Sequence, residues 1–410
     1  MTVLHTPSPL RRHLDATARL VAESRDVLDA RPGDCDNGAP APLVARGWAS
    51  FLLSLDDADL DSLEAYGLGG PWPDTTPTTL RALLDRVREV CALPSFAPAA
   101  PSRPPRKGET PRKRAQIDAF ARLVLPLTSR ATRVVDVGSG HGHLTREIAA
   151  QAALPVVGLE RDATLAGRAR ELSSGASPAL PTFEVTDVLR DGLPLTAGDL
   201  VIGLHACGEL GDALAAAVAR AGASLAFVGC CLQKRRATSR HPLCVPAPEL
   251  TAALDLPRAL LGLSNLAARD EGVEATRAEN LAGRERRLAL NWLLAGGPGR
   301  LRLGAEIDGL NRRAAHDELP VLVGRAFALR GWPAPSPEAI DEAARWARTA
   351  HARARRLSLP RAMLARVLEV YVLLDRALHL EEHGLSVRVG TLFPASVSAR
   401  NLALVAQPRS

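Results

Sequence analysis

Residues 133–160, RVVDVGSGHGHLTREIAAQAALPVVGLE, constrain the fold more than any other stretch of this chain. An apolar run (Val134, Val135, Val137) ends in Gly138, Gly140 and Gly142. An amphipathic helix pattern follows, and a second apolar run, Val156 to Leu159, closes on Glu160. Strand, glycine turn, helix and strand make one βαβ unit with an acid at the end of its second strand.

The glycine spacing narrows what the turn can hold. A dinucleotide loop needs G-x-G-x-x-G, whose third glycine lets the helix pack closely on the strand. Here the spacing is G-x-G-x-G and His143 stands at that third position, so a pyrophosphate is disfavoured. The glycines still let a ligand approach the backbone, and the first amides of the helix suit a carboxylate. Asp136, beside the turn, is placed to hold an ammonium group. Glu160 can accept from both ribose hydroxyls. Asp187, after the apolar stretch at Phe183, can accept from an adenine amino group. A ligand with all four groups is S-adenosylmethionine (SAM). The expected contact set is Asp136, Gly138, Ser139, Gly140, Gly142, His143, Leu144, Glu160, Arg161, Asp187, Val188 and His205.

The segments GWASFLLSLDDADLDSLEAYGL (47–68), TPRKRAQIDAF (110–120), VVDVGSGHGHL (134–144), GLHACGEL (203–210), VGCCLQK (228–234), LEVYVLLDRALHLEEHG (368–384) and SARNLALVA (398–406) occur in order along the chain. Together they resemble the methyltransferase-like protein 25 family of Rossmann-type methyltransferases. Some relatives of that family are named for a ribosomal-RNA adenine dimethylase domain. Relatives usually carry Thr and Tyr where Ala206 and Leu232 stand here. The resemblance implies SAM-dependent methyl transfer to an acceptor that stays open: RNA or a ribonucleoprotein is slightly favoured, with protein and small molecules as the alternatives.

The expected fold class is α/β, a class I Rossmann-like methyltransferase sheet of seven strands with the last pair antiparallel. A helical N-terminal region (1–97) and a Pro-rich basic linker (98–112) precede the Rossmann core (113–244). A helical insertion (245–380) separates strands five and six, and residues 381–410 return as the closing strand pair. Strand four is expected at Asp199 to Leu204, strand five at Ser224 to Gly229, and the last pair at Leu385 to Phe393 and Leu402 to Val405.

Composition excludes more than it selects. No segment approaches 18 uncharged apolar residues, so no membrane span is expected, and the first residues lack the apolar run of a signal peptide. Six cysteines without disulfide-scaffold spacing suit a reducing cytoplasm. Net charge is +6, yet of the 51 lysines and arginines only Lys107, Lys113 and Lys234 are lysines, a skew that fits GC-rich codon choice as well as nucleic-acid binding. Two local clusters could meet phosphates or be solvated loops: 103–114, and Lys234, Arg235, Arg236 and Arg240.

Ligands of open α/β sheets sit beyond the carboxyl ends of the strands. Strand four runs into His205, Cys207 and Gly208, and strand five into Cys230 and Cys231, so these side chains should gather near the methyl donor. Four readings stay open. His205 can serve as base or orienter for an oxygen or nitrogen acceptor. One thiolate of Cys207, Cys230 or Cys231 can add to a pyrimidine ring, as the resemblance to the cysteine pair of cytosine-C5 RNA methyltransferases suggests. His205 and the thiols can bind zinc, although no metal is assigned here. All four can be structural. The segment lacks the [DNS]-P-P-[YFW] signature of amino-group methyltransferases. Asp375-Arg376 is expected to be a helix-packing ion pair, and Arg400-Asn401 a candidate acceptor contact. A SAM-binding adaptor without turnover is the rival from another class.

Overall fold

The computed structural model describes residues 8–32, 38–96, 104, 109–174, 181–265, 276–297 and 304–409. Seven strands form one sheet: β1 (Arg133–Val137), β2 (Val156–Glu160), β3 (Thr182–Val185), β4 (Asp199–Cys207), β5 (Ser224–Cys230), β6 (Leu385–Thr391) and β7 (Leu402–Pro408). Their order is β3-β2-β1-β4-β5-β7-β6. β1 to β5 pair in parallel, and β7 lies antiparallel between β5 and β6. The expected class I sheet is therefore the observed one. Strands β4, β5 and β7 each run a little beyond their expected ends, because the paired ladder continues through Cys207, Cys230 and Pro408.

The apolar runs of β1, β2, β4 and β5 become buried strands because helices cover both faces of a parallel sheet. Val134, Leu200, Ile202, Ala226, Val228 and Val405 pack with Ile117, Phe120, Val124 and Ile148 in one cluster. Helix Pro111–Val124 starts on a Thr110 cap, whose side chain accepts from the Lys113 amide. The strand order reverses between β1 and β4, which marks the crevice where ligands bind in such sheets.

The chain forms two compact units that cut across the expected sequence blocks. One comprises Met1–Arg25, Asp85–Arg269 and Leu364–Ser410; the other comprises Asp26–Leu84 and Asp270–Met363. Blocks 1–97 and 245–380 are thus each divided between units. Within the second unit, side-chain pairing supplies the reason. Glu64 accepts from Arg277 at 2.6 Å and from Arg355 at 2.8 Å, joining its early and late segments. Leu290, Leu294, Leu322, Val323 and Phe327 form its own apolar core. Helix Pro337–Glu382 contributes its first part to this unit and its last part to the sheet-bearing one. Most of the Pro-rich linker lies outside the described residues. Among the described residues no helix is long and apolar enough to cross a membrane.

Candidate active site

A cavity of about 420 Å³ opens beyond the carboxyl ends of β1, β2 and β4. It is lined by Val137, Gly138, Leu159, Glu160, Arg161, Thr186, Asp187, Val188, Leu189, His205, Cys207, Glu209, Leu210, Lys234, Arg235 and Arg236. The volume lies within the ~300–1,000 Å³ of small-molecule sites. A larger depression of about 630 Å³ in the second unit, at Gly309 to Leu329, carries no comparable convergence of titratable groups.

The glycine loop adopts the conformation its sequence demands: Gly138, Gly140 and Gly142 have φ of 77°, 56° and 70°, in the region that side-chain-bearing residues seldom enter. Glu160 is buried at the end of β2 and braces the loop. Its carboxylate accepts from the Gly140 amide at 2.9 Å and from the Asp162 amide at 3.0 Å. Two backbone donors fix the carboxylate, and its remaining lone pairs are left for a ligand. Asp187 caps the short helix Val188–Asp191, accepting from Leu189, and pairs with Arg236 at 3.2 Å across the cavity.

Six expected contacts, Asp136, Ser139, Gly140, Gly142, His143 and Leu144, are not among the lining residues. Asp136 does not line the cavity: it is buried, and its carboxylate accepts from the Thr145 hydroxyl at 2.7 Å. Alternation along β1 turns Val137 towards the cavity and Asp136 away from it. Burial pushes its pKa up to about 7, against the hydrogen bond from Thr145. His143 is buried against Glu109, 3.2 Å away, in a cluster where Arg114 also pairs with Glu109, Asp118 and Glu147. Leu144 belongs to the sheet core. The Ser139 hydroxyl is buried without a partner. Gly140 and Gly142 shape the loop from behind the lining residues.

β4 carries a bulge at His205: the β4–β5 register shifts between Leu204 and Ala206, and His205 has φ of 73°. A bulge beside a site re-aims a side chain, here into the cavity. Its Nε2 lies 3.1 Å from Gln116 Oε1, while Nδ1 is buried without a partner. Burial, with Arg400 and Arg112 adding, pushes the imidazole down to about 4. His205 is therefore neutral near pH 7. A ring so weakly basic orients an acceptor better than it removes a proton.

The thiols converge. The Sγ atoms of Cys207, Cys230 and Cys231 lie within 4.8 Å of one another, with Cys207 and Cys230 at 2.7 Å. Of the three only Cys207 lines the large cavity. Cys230 and Cys231 face a tight void with Arg366, Arg376 and Arg400. Cys231 is held well below the usual thiol range by hydrogen bonds from Cys207 and Cys230. The described cysteines, Cys91 and Cys244 included, are free; Cys35 lies outside the described residues.

Part of each basic cluster is internal. Arg240 is buried between Asp212 (3.0 Å) and Asp375 (2.7 Å), Arg376 pairs with Asp212 (2.8 Å), and Arg235 also reaches Asp212. Asp375 and Arg376 thus pair with other elements rather than with each other, and Arg376 donates to the Gly208 carbonyl at 2.7 Å. Asn401 is likewise structural, accepting from Arg366 and donating to the Phe393 carbonyl. Arg161, Lys234 and Arg236 remain exposed at the cavity rim, while Arg103, Arg106 and Lys107 lie outside the described residues. Two site residues went unnoticed in the sequence, Gln116 and Glu209. Both lie in segments quoted above for their resemblance, which was the available signal.

Residues 112–238 match a family model described as a methyltransferase domain. The matched segment spans β1 to β5, the parallel part of the sheet. Solved structures are similar over about a quarter of the chain. Magnesium protoporphyrin IX methyltransferase from Synechocystis PCC 6803, with bound SAH, is 21% identical over 27% of this chain and 52% of its own, with a TM-score of 0.22. A SAM-dependent methyltransferase from Mesorhizobium loti is 24% identical over 27% and 54%, with a TM-score of 0.22. The N-methyltransferase NodS from Bradyrhizobium japonicum WM9 is 18% identical over 29% and 68%, with a TM-score of 0.25. The chain therefore spans about half the length of the first two, and what it does as a whole is a separate question.

Proposed function

We propose that the whole chain is a working methyltransferase. It would hold SAM with Glu160 on the ribose and Asp187 towards the adenine, and pass the methyl group to an acceptor that His205 orients. The observation that carries this reading is the braced Glu160 carboxylate on the wall of a cavity at the β1/β4 switch point. Methyl transfer is an in-line displacement, so the protein's main work is alignment; a rigid loop, a fixed carboxylate and a bulged His205 are parts suited to it. The adenine role of Asp187 requires Arg236 to yield its place.

The favoured acceptor is RNA, free or in a ribonucleoprotein. The exposed Arg161, Lys234 and Arg236 at the rim support it, as groups that meet phosphates. The narrower resemblance to the methyltransferase-like protein 25 family supports it too. The free thiols support a reducing, cytoplasmic setting. Incubation with methyl-labelled SAM and separated RNA, protein and metabolite pools tests the reading. Label retained in RNA is the expected result; label in protein or metabolites alone would refute the acceptor, and SAM binding without transfer to any pool would favour the adaptor.

A further inference from the structure

We propose that Cys207, Cys230 and Cys231 form a three-thiolate site for a thiophilic d10 cation, Zn²⁺ or Cu⁺. The inference rests on the thiols alone and does not require the neighbouring cavity to hold SAM.

Three sulfurs from two adjacent strand ends lie within 4.8 Å of one another. With Zn–S bonds of about 2.3 Å, a tetrahedral site separates its sulfurs by about 3.8 Å. The Cys207–Cys230 pair, at 2.7 Å, is tighter than that edge, and no separation in the group exceeds 4.8 Å. Small rotations of the side chains reach the required spacing from both sides.

The backbone is bent to bring the sulfurs together. Among the described residues, the non-glycine positions with positive φ are His205 (73°) and Cys231 (43°). The first lies two residues before one sulfur ligand and the second is itself a ligand. Strain of this kind persists only where surrounding structure holds it, and it concentrates at functional sites. Gly208 allows the two strand-end loops to meet: a Cβ there would stand 2.1 Å from the Lys234 carbonyl oxygen. Gly208 donates to the Cys230 carbonyl, Glu209 to the Lys234 carbonyl, and Lys234 to the Cys231 carbonyl, so the loops are tied at 3.1, 3.0 and 2.9 Å. Arg376, fixed by Asp212, holds the Gly208 carbonyl from below. Aligning SAM and an acceptor does not need three sulfurs to converge; binding a soft cation does.

Thiolates select Zn²⁺ or Cu⁺ over Mg²⁺ or Ca²⁺, which prefer oxygen. Three protein ligands leave a position for an exchangeable fourth. Cys207 also lines the large cavity, so that ligand would arrive from the cavity side.

The test uses the full, tag-free chain purified under reducing conditions and dialysed with one equivalent of Zn²⁺ or, anaerobically, Cu⁺. Elemental analysis should find about one metal per chain, retained against a chromophoric competitor. Cys207→Ser, Cys230→Ser and Cys231→Ser should each weaken retention at least tenfold, while Cys244→Ser, a buried thiol outside the group, should not. Because a serine variant could misfold, Co²⁺ loading of the wild type gives an independent readout: a thiolate-to-cobalt charge-transfer band supports the site. No retained metal and no such band, metal retained unchanged in the triple variant, or a mass showing a Cys207–Cys230 disulfide that excludes metal would each overturn it.

Discussion

Glu160 gives the sharpest perturbation. Its carboxylate accepts two backbone amides at 2.9 and 3.0 Å and stands on the cavity wall. Hydrogen bonds to a charged group contribute about 1.5–3 kcal/mol. Glu160→Ala removes the acceptor for the ribose hydroxyls and leaves the Gly140 and Asp162 amides unpaired. SAM affinity should therefore fall about 10- to 150-fold, taking roughly 1.4 kcal/mol per factor of ten. Glu160→Gln keeps one oxygen acceptor and should lose less than the alanine variant. Titration calorimetry with SAM and with its demethylated product reads both variants directly, and a thermal melt checks that each is folded. Wild-type affinity in a folded Glu160→Ala protein would refute the placing of the ribose, whatever the acceptor.

Other expectations follow from the same geometry. Asp212→Asn removes the charge shared by the buried Arg240 and Arg376, and breaking such a network should lower stability by about 3–5 kcal/mol in urea unfolding. Those arginines outweigh burial and hold the Asp212 carboxyl well below its usual 3.8, so its contribution is complete above that pH and is lost as pH falls through the depressed value; an acid-unfolding curve insensitive to Asp212→Asn would contradict this. His205 is depressed from 6.5 to about 4, so stability should decline as pH falls from 6.5 towards 4, and His205→Asn should flatten that part of the curve. The rate of methyl transfer should show no ionisation near pH 6.5 assignable to His205, and His205→Asn should lower kcat with little change in SAM affinity. Gly208→Ala faces both a φ of 52° and the Lys234 carbonyl 2.1 Å from the new Cβ; it should cost at least ~2 kcal/mol in thermal or urea unfolding.

Most of the sheet was legible in the sequence because β2, β4 and β5 are long, mainly apolar runs buried on both faces, whereas the edge strand β3 is largely exposed. Glu160, which ends β2, and Asp187, two residues beyond β3, were legible as cavity residues because they stand at or just past strand ends. Asp136, close to the glycine turn in sequence, is turned by side-chain alternation towards Thr145 and does not line the cavity. Part of each basic cluster is internal for a related reason. The groups that neutralise Arg240 and Arg114 include Asp375 and Glu147, far away along the chain. Helical periodicity found the helical regions, but it records which face is apolar and not what packs there. The grouping of 26–84 with 270–363 was therefore invisible until Glu64 was seen with Arg277 and Arg355. The bulge at His205 leaves no pattern in an apolar strand, and the convergence of the thiols depends on it.

A crystal structure of the full chain with the demethylated product of SAM would show where the cofactor lies. Density for the adenosyl group is expected in the β1/β4 crevice, with ribose hydroxyls within hydrogen-bond distance of Glu160 and Arg236 withdrawn from Asp187. Density for the nucleoside at any other place, with no ligand atom within hydrogen-bond distance of Glu160, would contradict it.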